Sequence, residues 1–280
     1  MSPSPRMRRR GSLAALFLLL AVLGALFAPW LSPAPPDAQD LDRRLASPSP
    51  GHPLGTDELG RDVLARVLYG ARASLTVALA VVVLAGAVGT LLGATAGYAG
   101  GAWDRMVGIA SDACLAFPGT LLAIALVAAL GPALRYVVLA LVSLGWVGYA
   151  RLVRAQVLRL REEEFVLAAR ALGAGPARIL LRHILPNLLP ALLVQASASM
   201  AGAILAESSL SFLGLGLQPP TPSWGAMVDA GRAHLLDAPH VAVFPGLALS
   251  LTVLALNFAG DALADRLDPR AARSFAAGAP

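Results

Sequence analysis

Six long apolar runs divide this sequence and exclude an ordinary soluble fold. They cover residues 13–31, 73–97, 107–130, 132–152, 188–210 and 241–260. A helix needs about 20 apolar residues to cross the hydrocarbon core of a bilayer, and each run has roughly that length. The runs therefore predict an all-α membrane protein with six transmembrane helices.

The composition is typical of a membrane protein and argues against a nucleic-acid-binding or metal-binding protein. The chain is 57% hydrophobic and 14% charged, with a formal net charge of +5. All its basic residues are arginine, and they flank the apolar runs, which is typical of topology signals and not of a nucleic-acid-binding surface. One cysteine and four scattered histidines indicate no metal site. We expect contact with membrane lipid but not with nucleic acid.

The distribution of arginine predicts the orientation of the helices. Most arginines fall on one side if the N-terminus is cytoplasmic, so both termini are expected there. The chain then divides into a basic cytoplasmic N-terminus (1–12), a first transmembrane anchor (13–31), an external segment (32–72), a five-helix core (73–260) and a cytoplasmic tail (261–280). A cleaved signal peptide is the alternative for the first run, but the run continues to Leu31 without a clear cleavage site, which favours a retained anchor.

The external segment is expected to hold an extended linker followed by an amphipathic helix. Thr56 can cap that helix, with Asp57 and Glu58 in its first turn. From Leu59 to Arg72, apolar and polar residues separate onto two faces at helical spacing. This pattern predicts a separate helix lying along the outer membrane interface.

The largest cytoplasmic loop, within residues 153–187, is predicted to form two short helices at an angle. Residues 162–172 favour helix, and Gly173 suits the left-handed position after its end. Pro176 fits the first position of a second helix, which Pro186 should end or bend. Small side chains around Gly173 would let another protein approach closely. An ordinary solvated loop held by arginines is the alternative.

This loop resembles the EAA loop of permease subunits of bacterial ABC importers. Leu167-Ala168-Ala169 stands where that family has Glu-Ala-Ala, and Gly173 and Leu185-Pro186 match as well. Leu167 replaces the glutamate, so contact at this position is expected through packing and not through charge. The resemblance implies that the loop couples the chain to ATPase subunits through Leu167, Ala168, Ala169, Arg170, Gly173, Ala174, Pro176, Leu185 and Pro186.

Further motifs resemble the C-type permease subunit of dipeptide, oligopeptide and nickel importers, in order along nearly the whole chain. They are Leu54-Gly-Thr-Asp-Glu-Leu-Gly-Arg-Asp62, Tyr69-Gly-Ala-Arg72, Ala116-Phe-Pro118, Gly148-Tyr-Ala-Arg151, Ser211-Phe-Leu-Gly-Leu-Gly216, Gln218-Pro-Pro-Thr-Pro-Ser-Trp-Gly225, Phe244-Pro-Gly246 and Asp268-Pro-Arg270. The resemblance implies a subunit of the bacterial cytoplasmic (inner) membrane that forms half of a path for peptides or a related small solute such as nickel or glutathione.

The same resemblance implies the partners. They are a B-type sister permease, two cytoplasmic ATP-binding subunits and an external solute-binding protein. The sequence contains no Gly-x-x-x-x-Gly-Lys-Ser/Thr loop, since it contains no lysine. The chain is therefore expected to be no enzyme and to bind no cofactor, with ATP and Mg on the partner subunits.

Polar residues inside the apolar runs are candidates for the solute path or for structural contacts, because polar groups in hydrocarbon are costly. Asp112 is expected to pair with Arg105 or with a neighbouring helix, and Glu207 could serve either role. Gln195 and Asn257 are expected to bridge helices by hydrogen bonds. Glycines at spacings of three and four predict a close-packing face on the second run, namely Gly86, Gly89, Gly93 and Gly97.

An ion-coupled secondary transporter is the alternative function. Such a protein couples transport to an ion through acidic residues near the membrane midplane. Asp112 and Glu207 are predicted near opposite faces of the membrane, so the sequence offers no acidic pair of this kind.

Overall fold

The structure, a computed structural model, describes residues 5–32 and 34–267, with the side chains of residues 5–10 not described. In these residues the chain is almost entirely helical and contains no β-strand, only two isolated bridges. The α-helices are α1 (Pro5–Leu26), α2 (Ala28–Leu31), α3 (Val63–Ala99), α4 (Gly101–Leu115), α5 (Gly119–Leu130), α6 (Leu134–Leu160), α7 (Glu164–Ala171), α8 (Pro176–Ile179), α9 (Leu185–Phe212), α10 (Trp224–Arg232) and α11 (His240–Leu267). Most of the predicted tail 261–280 and the start of the predicted basic N-terminus 1–12 lie outside the described residues.

The described helices include four that are long and apolar enough to cross a membrane. These are α3, α6, α11 and the continuous stretch Pro176–Phe212. The pair α4 and α5 meets the same test together as one bent span, and Gly11–Leu26 is a shorter apolar helix. The all-α membrane fold is thus confirmed, with four spans or five if the bent pair is one.

The third predicted span, residues 107–130, is not a single straight helix. The chain bends by 85° between α4 and α5. Pro118 lies at this break, where it has no backbone N–H to donate and disfavours helical geometry at Phe117. Gly119 then begins a second helix in a new direction.

The predicted separate amphipathic helix is also wrong. Its residues from Val63 onward form the first turns of α3 and continue into the span without a break. Asp62, not Thr56, caps this helix, since its Oδ1 accepts a hydrogen bond from the Ala65 N–H at 2.7 Å. The side chain of Arg66, expected on a solvated face, is buried and donates to the Pro36 carbonyl at 3.1 Å.

Residues 41–62 instead form a folded cap over the start of α3. The hydroxyl of Thr56 accepts from the Ala46 N–H at 2.9 Å and donates to the Arg43 carbonyl. Asp57 bonds the Arg61 guanidinium at 2.7 Å. A short-range helix pattern could not reveal the contacts of Thr56, because they join residues that are ten or more positions apart.

The predicted glycine face on α3 is confirmed as the contact with α6. A Cβ at Gly89 would lie 2.6 Å from the Tyr149 Cβ, and one at Gly93 would lie 2.9 Å from the Ala150 Cα. Both distances are too short for real carbon atoms. The two helices therefore approach each other this closely only because these positions carry no side chain.

A single helical stretch runs from Pro176 to Phe212. Pro186 does not end it, as the sequence suggested it could. A π-helical turn, Leu180–Ile184, precedes the proline, and the Leu185 N–H bonds the Leu180 carbonyl. This wider turn accommodates the proline ring and lets the helix continue for 37 residues, or about 55 Å at 1.5 Å per residue.

Two ends of the bundle can be named from these contacts. The helices α7 and α8 meet at a turn that we call the corner, and the end of the bundle that holds them is the corner end. The far end holds residues 41–62 and α10. α1 packs along α11, where Gly11 lies against Ala262, and Gly24 lies against Leu68 in the early turns of α3. Both ends of the described chain thus point toward the corner end.

Gly93→Ala tests the glycine face. We expect the added methyl group to separate α3 from α6 and to lower the free energy of unfolding by about 1–3 kcal/mol. Gly202→Ala is the matched control, since a Cβ there has no atom within 4 Å. Denaturation in mixed micelles measures both, and equal stability of the two variants would contradict the contact.

Candidate functional site

The corner between α7 and α8 has the geometry that the sequence predicted. Gly173 has φ +81°, the left-handed conformation that favours glycine after a helix. Its N–H bonds the Arg170 carbonyl at 3.0 Å, and the Ala174 N–H bonds the Ala169 carbonyl at 3.0 Å. Pro176 takes the first turn of α8. The backbone is therefore held in a defined turn.

An apolar core fixes this corner to the rest of the bundle. Val166 of α7 and Ile179 of α8 are buried beside residues of α6. The full set of buried side chains in this cluster is Ala94, Val153, Val157, Leu160, Val166, Ile179, Ile184 and Leu188. One packed core thus joins α3, α6 and the start of α9 to the corner.

Three exposed apolar side chains lie on α7 and at its C-terminal end. Leu172 is 89% exposed, Leu167 is 43% exposed and Phe165 is 42% exposed. Because they lie in the loop between spans, these side chains are available for contact with a partner protein. The sequence analysis identified Leu167 but missed Phe165 and Leu172. Both could have been found as apolar residues near the two ends of the predicted helix.

The predicted coupling residues divide between the exposed surface of the corner and its core. Leu167, Ala168, Arg170, Gly173, Pro176 and Pro186 are exposed. Ala169 is buried, and Ala174 and Leu185 pack partly against the apolar core of the corner. The first six are accessible to a partner in this structure, while the other three position them.

A charged cleft lies between α4 and α6. It has a volume of about 750 Å³ and is lined by Asp104, Arg105, Asp112, Arg151 and Arg154, among others. Arg154 forms a two-bond ion pair with Asp104, with Nη2 to Oδ2 at 2.7 Å. Asp112 pairs with Arg151 at 2.6 Å. The predicted neighbouring-helix partner of Asp112 is thus found, and Arg105 is not its partner.

Glu207 lies toward the far end in a cage of serines. It is fully buried, and its carboxylate accepts from the hydroxyls of Ser74 at 3.1 Å and Ser211 at 2.7 Å. Ser223, which caps α10, donates to the Ser211 hydroxyl at 3.2 Å. These bonds join α3, α9 and α10, so Glu207 is a structural centre in this structure.

Gln195 and Asn257 do not bridge helices, contrary to expectation. The Gln195 amide donates to Ser199 at 3.2 Å, and the Asn257 amide donates to the Val253 carbonyl at 2.9 Å. Both partners lie one turn away on the same helix. The partner of Asn257 is a backbone carbonyl, which a helix offers at every turn, and the partner of Gln195 is the hydroxyl of Ser199.

A second, mostly apolar cavity lies between α3, α5, α6 and α9. Its volume is about 560 Å³, and its wall includes Val81, Thr120, Leu144, Tyr149, Ser199 and Gly202. The sequence offered four candidates for the solute path, and none of them lines this cavity: Asp112, Gln195, Glu207 and Asn257. Among the described residues, no group of three His, Cys, Asp or Glu side chains is placed to hold a metal ion.

Comparisons with known proteins give consistent matches. Residues 89–273 match the family described as binding-protein-dependent transport system inner membrane component, and residues 7–48 match the N-terminal TM domain of oligopeptide transport permease C. The chain is 47% identical over 260 residues to the glutathione transport system permease protein GsiD of Shigella dysenteriae serotype 1, which covers 92% of this chain and 85% of that protein. GsiD of Escherichia coli O157:H7 and of Shigella boydii serotype 4 are similar to the same extent.

The two candidate carboxylates of the sequence analysis should differ in their effect on stability. Glu207→Ala removes the acceptor of two buried hydroxyls, at about 1–2 kcal/mol each, so a loss of roughly 2–4 kcal/mol is expected. Asp112→Ala breaks an ion pair whose side chains are 53% and 73% exposed, which is worth about 0–1 kcal/mol. Denaturation in micelles compares them, and a larger loss for Asp112→Ala would contradict the serine cage.

Proposed function

Because the chain belongs to the family of binding-protein-dependent transport system inner membrane components, we propose that it forms half of an import path for short peptides, glutathione included. As a member of that family it is the permease of an ABC importer of the inner membrane. ATP hydrolysis takes place on separate ATPase subunits, and a solute-binding protein delivers the solute. The chain is therefore not itself an enzyme.

The proposed solute rests on the named relatives and the N-terminal match. The GsiD proteins are named for glutathione transport, and residues 7–48 match a domain named for oligopeptide transport. Glutathione is itself a tripeptide, so one chemical class includes both names. A path for this class must admit an uncharged amide backbone with charged groups at its ends.

The corner is the proposed contact with the ATPase subunits. The observation that carries this proposal is that a fixed helical corner continues into a span of 37 residues. The exposed apolar side chains of Phe165, Leu167 and Leu172 suit a partner that docks by packing. Motion imposed on the corner would be transmitted along α9 toward Glu207, because the corner core packs directly against the start of α9.

The proposed topology has six spans with both termini in the cytoplasm. The bent pair α4 and α5 counts as one span and α1 as the sixth. The packing of α1 along α11 supports this arrangement, since it directs both described ends toward the corner. The remaining partners of the proposed complex are a B-type sister permease and two cytoplasmic ATP-binding subunits, which hold ATP and Mg. This chain binds no cofactor in the proposal.

Contacts of the acidic residues favour this function over an ion-coupled secondary transporter. Asp112 pairs with Arg151 at the charged cleft, and Glu207 is enclosed by serines toward the far end. The two carboxylates thus belong to separate clusters, each with partners of its own. Coupling to an ion through both of them would require them to share a site.

Gly173→Val tests the corner as the coupling element. Valine in the left-handed region is strained by roughly 1–2 kcal/mol, so the turn should open and its contact with the ATPases weaken. In proteoliposomes with all partner subunits, we expect ATP-driven glutathione uptake to fall about tenfold, in line with about 1.4 kcal/mol.

Gly175→Val is the matched control. Its φ is −71°, which valine adopts freely, and a Cβ there also has no atom within 4 Å. Uptake and ATPase binding should remain near the wild-type level. Equal behaviour of the two variants would show that the turn at Gly173 is not the coupling element. Wild-type uptake that runs on an ion gradient without ATP would contradict the proposed function itself.

A further inference from the structure

The break between α4 and α5 is exposed on the surface of the chain. Every residue from 115 to 120 is exposed, and the apolar side chains there are open as well, with Phe117 63% and Leu115 55% exposed. No side chain caps the start of α5 in the described structure. Because the first N–H groups of a helix have no partner within it, polar backbone is uncovered at this break.

Contacts with α6 place the break at the middle of the membrane. A Cβ at Gly119 would lie 3.8 Å from the Leu144 side chain of α6. At the next residue of α6, a Cβ at Gly145 would lie 3.2 Å from the Ala85 Cβ of α3. Ala85 is the central residue of the apolar run 73–97. The break is therefore at the depth of the hydrocarbon core and not at its edge.

Lipid does not suit this break as a neighbour. Backbone that leaves the helix inside hydrocarbon occurs only where protein buries it or where it lines a water-filled cavity. Water alone does not suit it either, because the side chains of Leu115, Phe117 and Leu121, each at least 55% exposed, would then stay in contact with water. A protein surface can bond the polar groups and also pack against the apolar ones.

A charged pair extends this surface toward the corner end. Asp112 lies three positions before Leu115 and thus on the same face of α4. It pairs with Arg151 of α6 at 2.6 Å, and the two side chains are 73% and 53% exposed. Charged groups within spans almost always face the interior of a bundle or a cavity and not lipid. The pair therefore requires the same kind of cover as the break.

We propose that the sister permease packs against this surface, which consists of Asp112, residues 115–121 and Arg151. A molecule that covers a break at the middle of the bilayer must itself lie in the membrane. The sister permease is the only other subunit of the proposed complex that does so, and the inference rests on the proposed function for this partner. Gly119 and Thr120 also line the apolar cavity, so that cavity borders the contact between the two permeases.

Photo-crosslinking tests which molecule covers the break. The photoreactive residue p-benzoylphenylalanine replaces Phe117 in one complex and Leu251 in another, and both complexes hold all partner subunits in lipid nanodiscs. Leu251 is the matched control, because it is 45% exposed near the middle of α11, which packs against α1, α9 and α10. Irradiation should link the Phe117 probe to the sister permease at least about fivefold more than the Leu251 probe, since a packed interface surrounds the probe with protein atoms.

Three results would overturn the proposal. Equal yields at the two positions, or a Phe117 probe that links only to lipid, would show that the sister permease does not cover the break. A link to a second copy of this chain would identify a different occupant. ATP-driven glutathione uptake by the wild-type complex separates this test from that of the proposed function. Uptake without the link contradicts this inference alone, whereas a link without uptake supports the surface and contradicts the proposed solute.

Phe117→Ala measures how much this surface contributes to subunit association. Loss of an aromatic side chain from a packed interface should speed the exchange of the sister permease between labelled complexes in detergent by about tenfold. Leu251→Ala shortens an exposed apolar side chain elsewhere on the chain and should leave the exchange rate unchanged. Equal exchange rates in the two variants would contradict a packed contact at Phe117.

Discussion

The close contact between α3 and α6 is the constraint on which the rest of this structure depends. Helices in a membrane gain little from the hydrophobic effect, so they associate by close packing. Gly89 and Gly93 allow the backbone of α3 to meet α6 at Tyr149 and Ala150. The apolar cavity, the charged cleft and the core of the corner all include residues of α3 or α6.

α6 connects these surfaces in order along its length. Its glycine contact lies beside the apolar cavity, its next turns carry Arg151 and Arg154 of the charged cleft, and Val157 and Leu160 form part of the core under the corner. The continuous helix from Pro176 to Phe212 runs from the corner to the Glu207 cage. In the proposed function, movement of the corner would therefore reach both the cavity and the far end, since packed rigid elements transmit conformational change.

Sequence patterns predicted the features that depend on neighbouring residues. The apolar runs, the glycine face of α3, the left-handed Gly173 and Pro176 in the first turn of α8 all follow from local rules. The break at Pro118 follows from the same rules, but it was not predicted because Pro118 lies inside a long apolar run. The serine cage could not have been found, because Ser74 and Glu207 are 133 positions apart. The cap over α3 escaped prediction for the same reason.

Disulfide cross-linking at the corner tests most directly whether this chain receives its energy from ATPase subunits. In the Cys114→Ala background, Leu172→Cys places a thiol at the most exposed apolar residue of the corner. Oxidation is expected to link this thiol to a cysteine on the docking surface of an ATP-binding subunit, and the link should stop ATP-driven glutathione uptake until it is reduced. Uptake that continues at the full rate in the cross-linked complex, or a failure to link at any position of that surface, would contradict coupling through the corner.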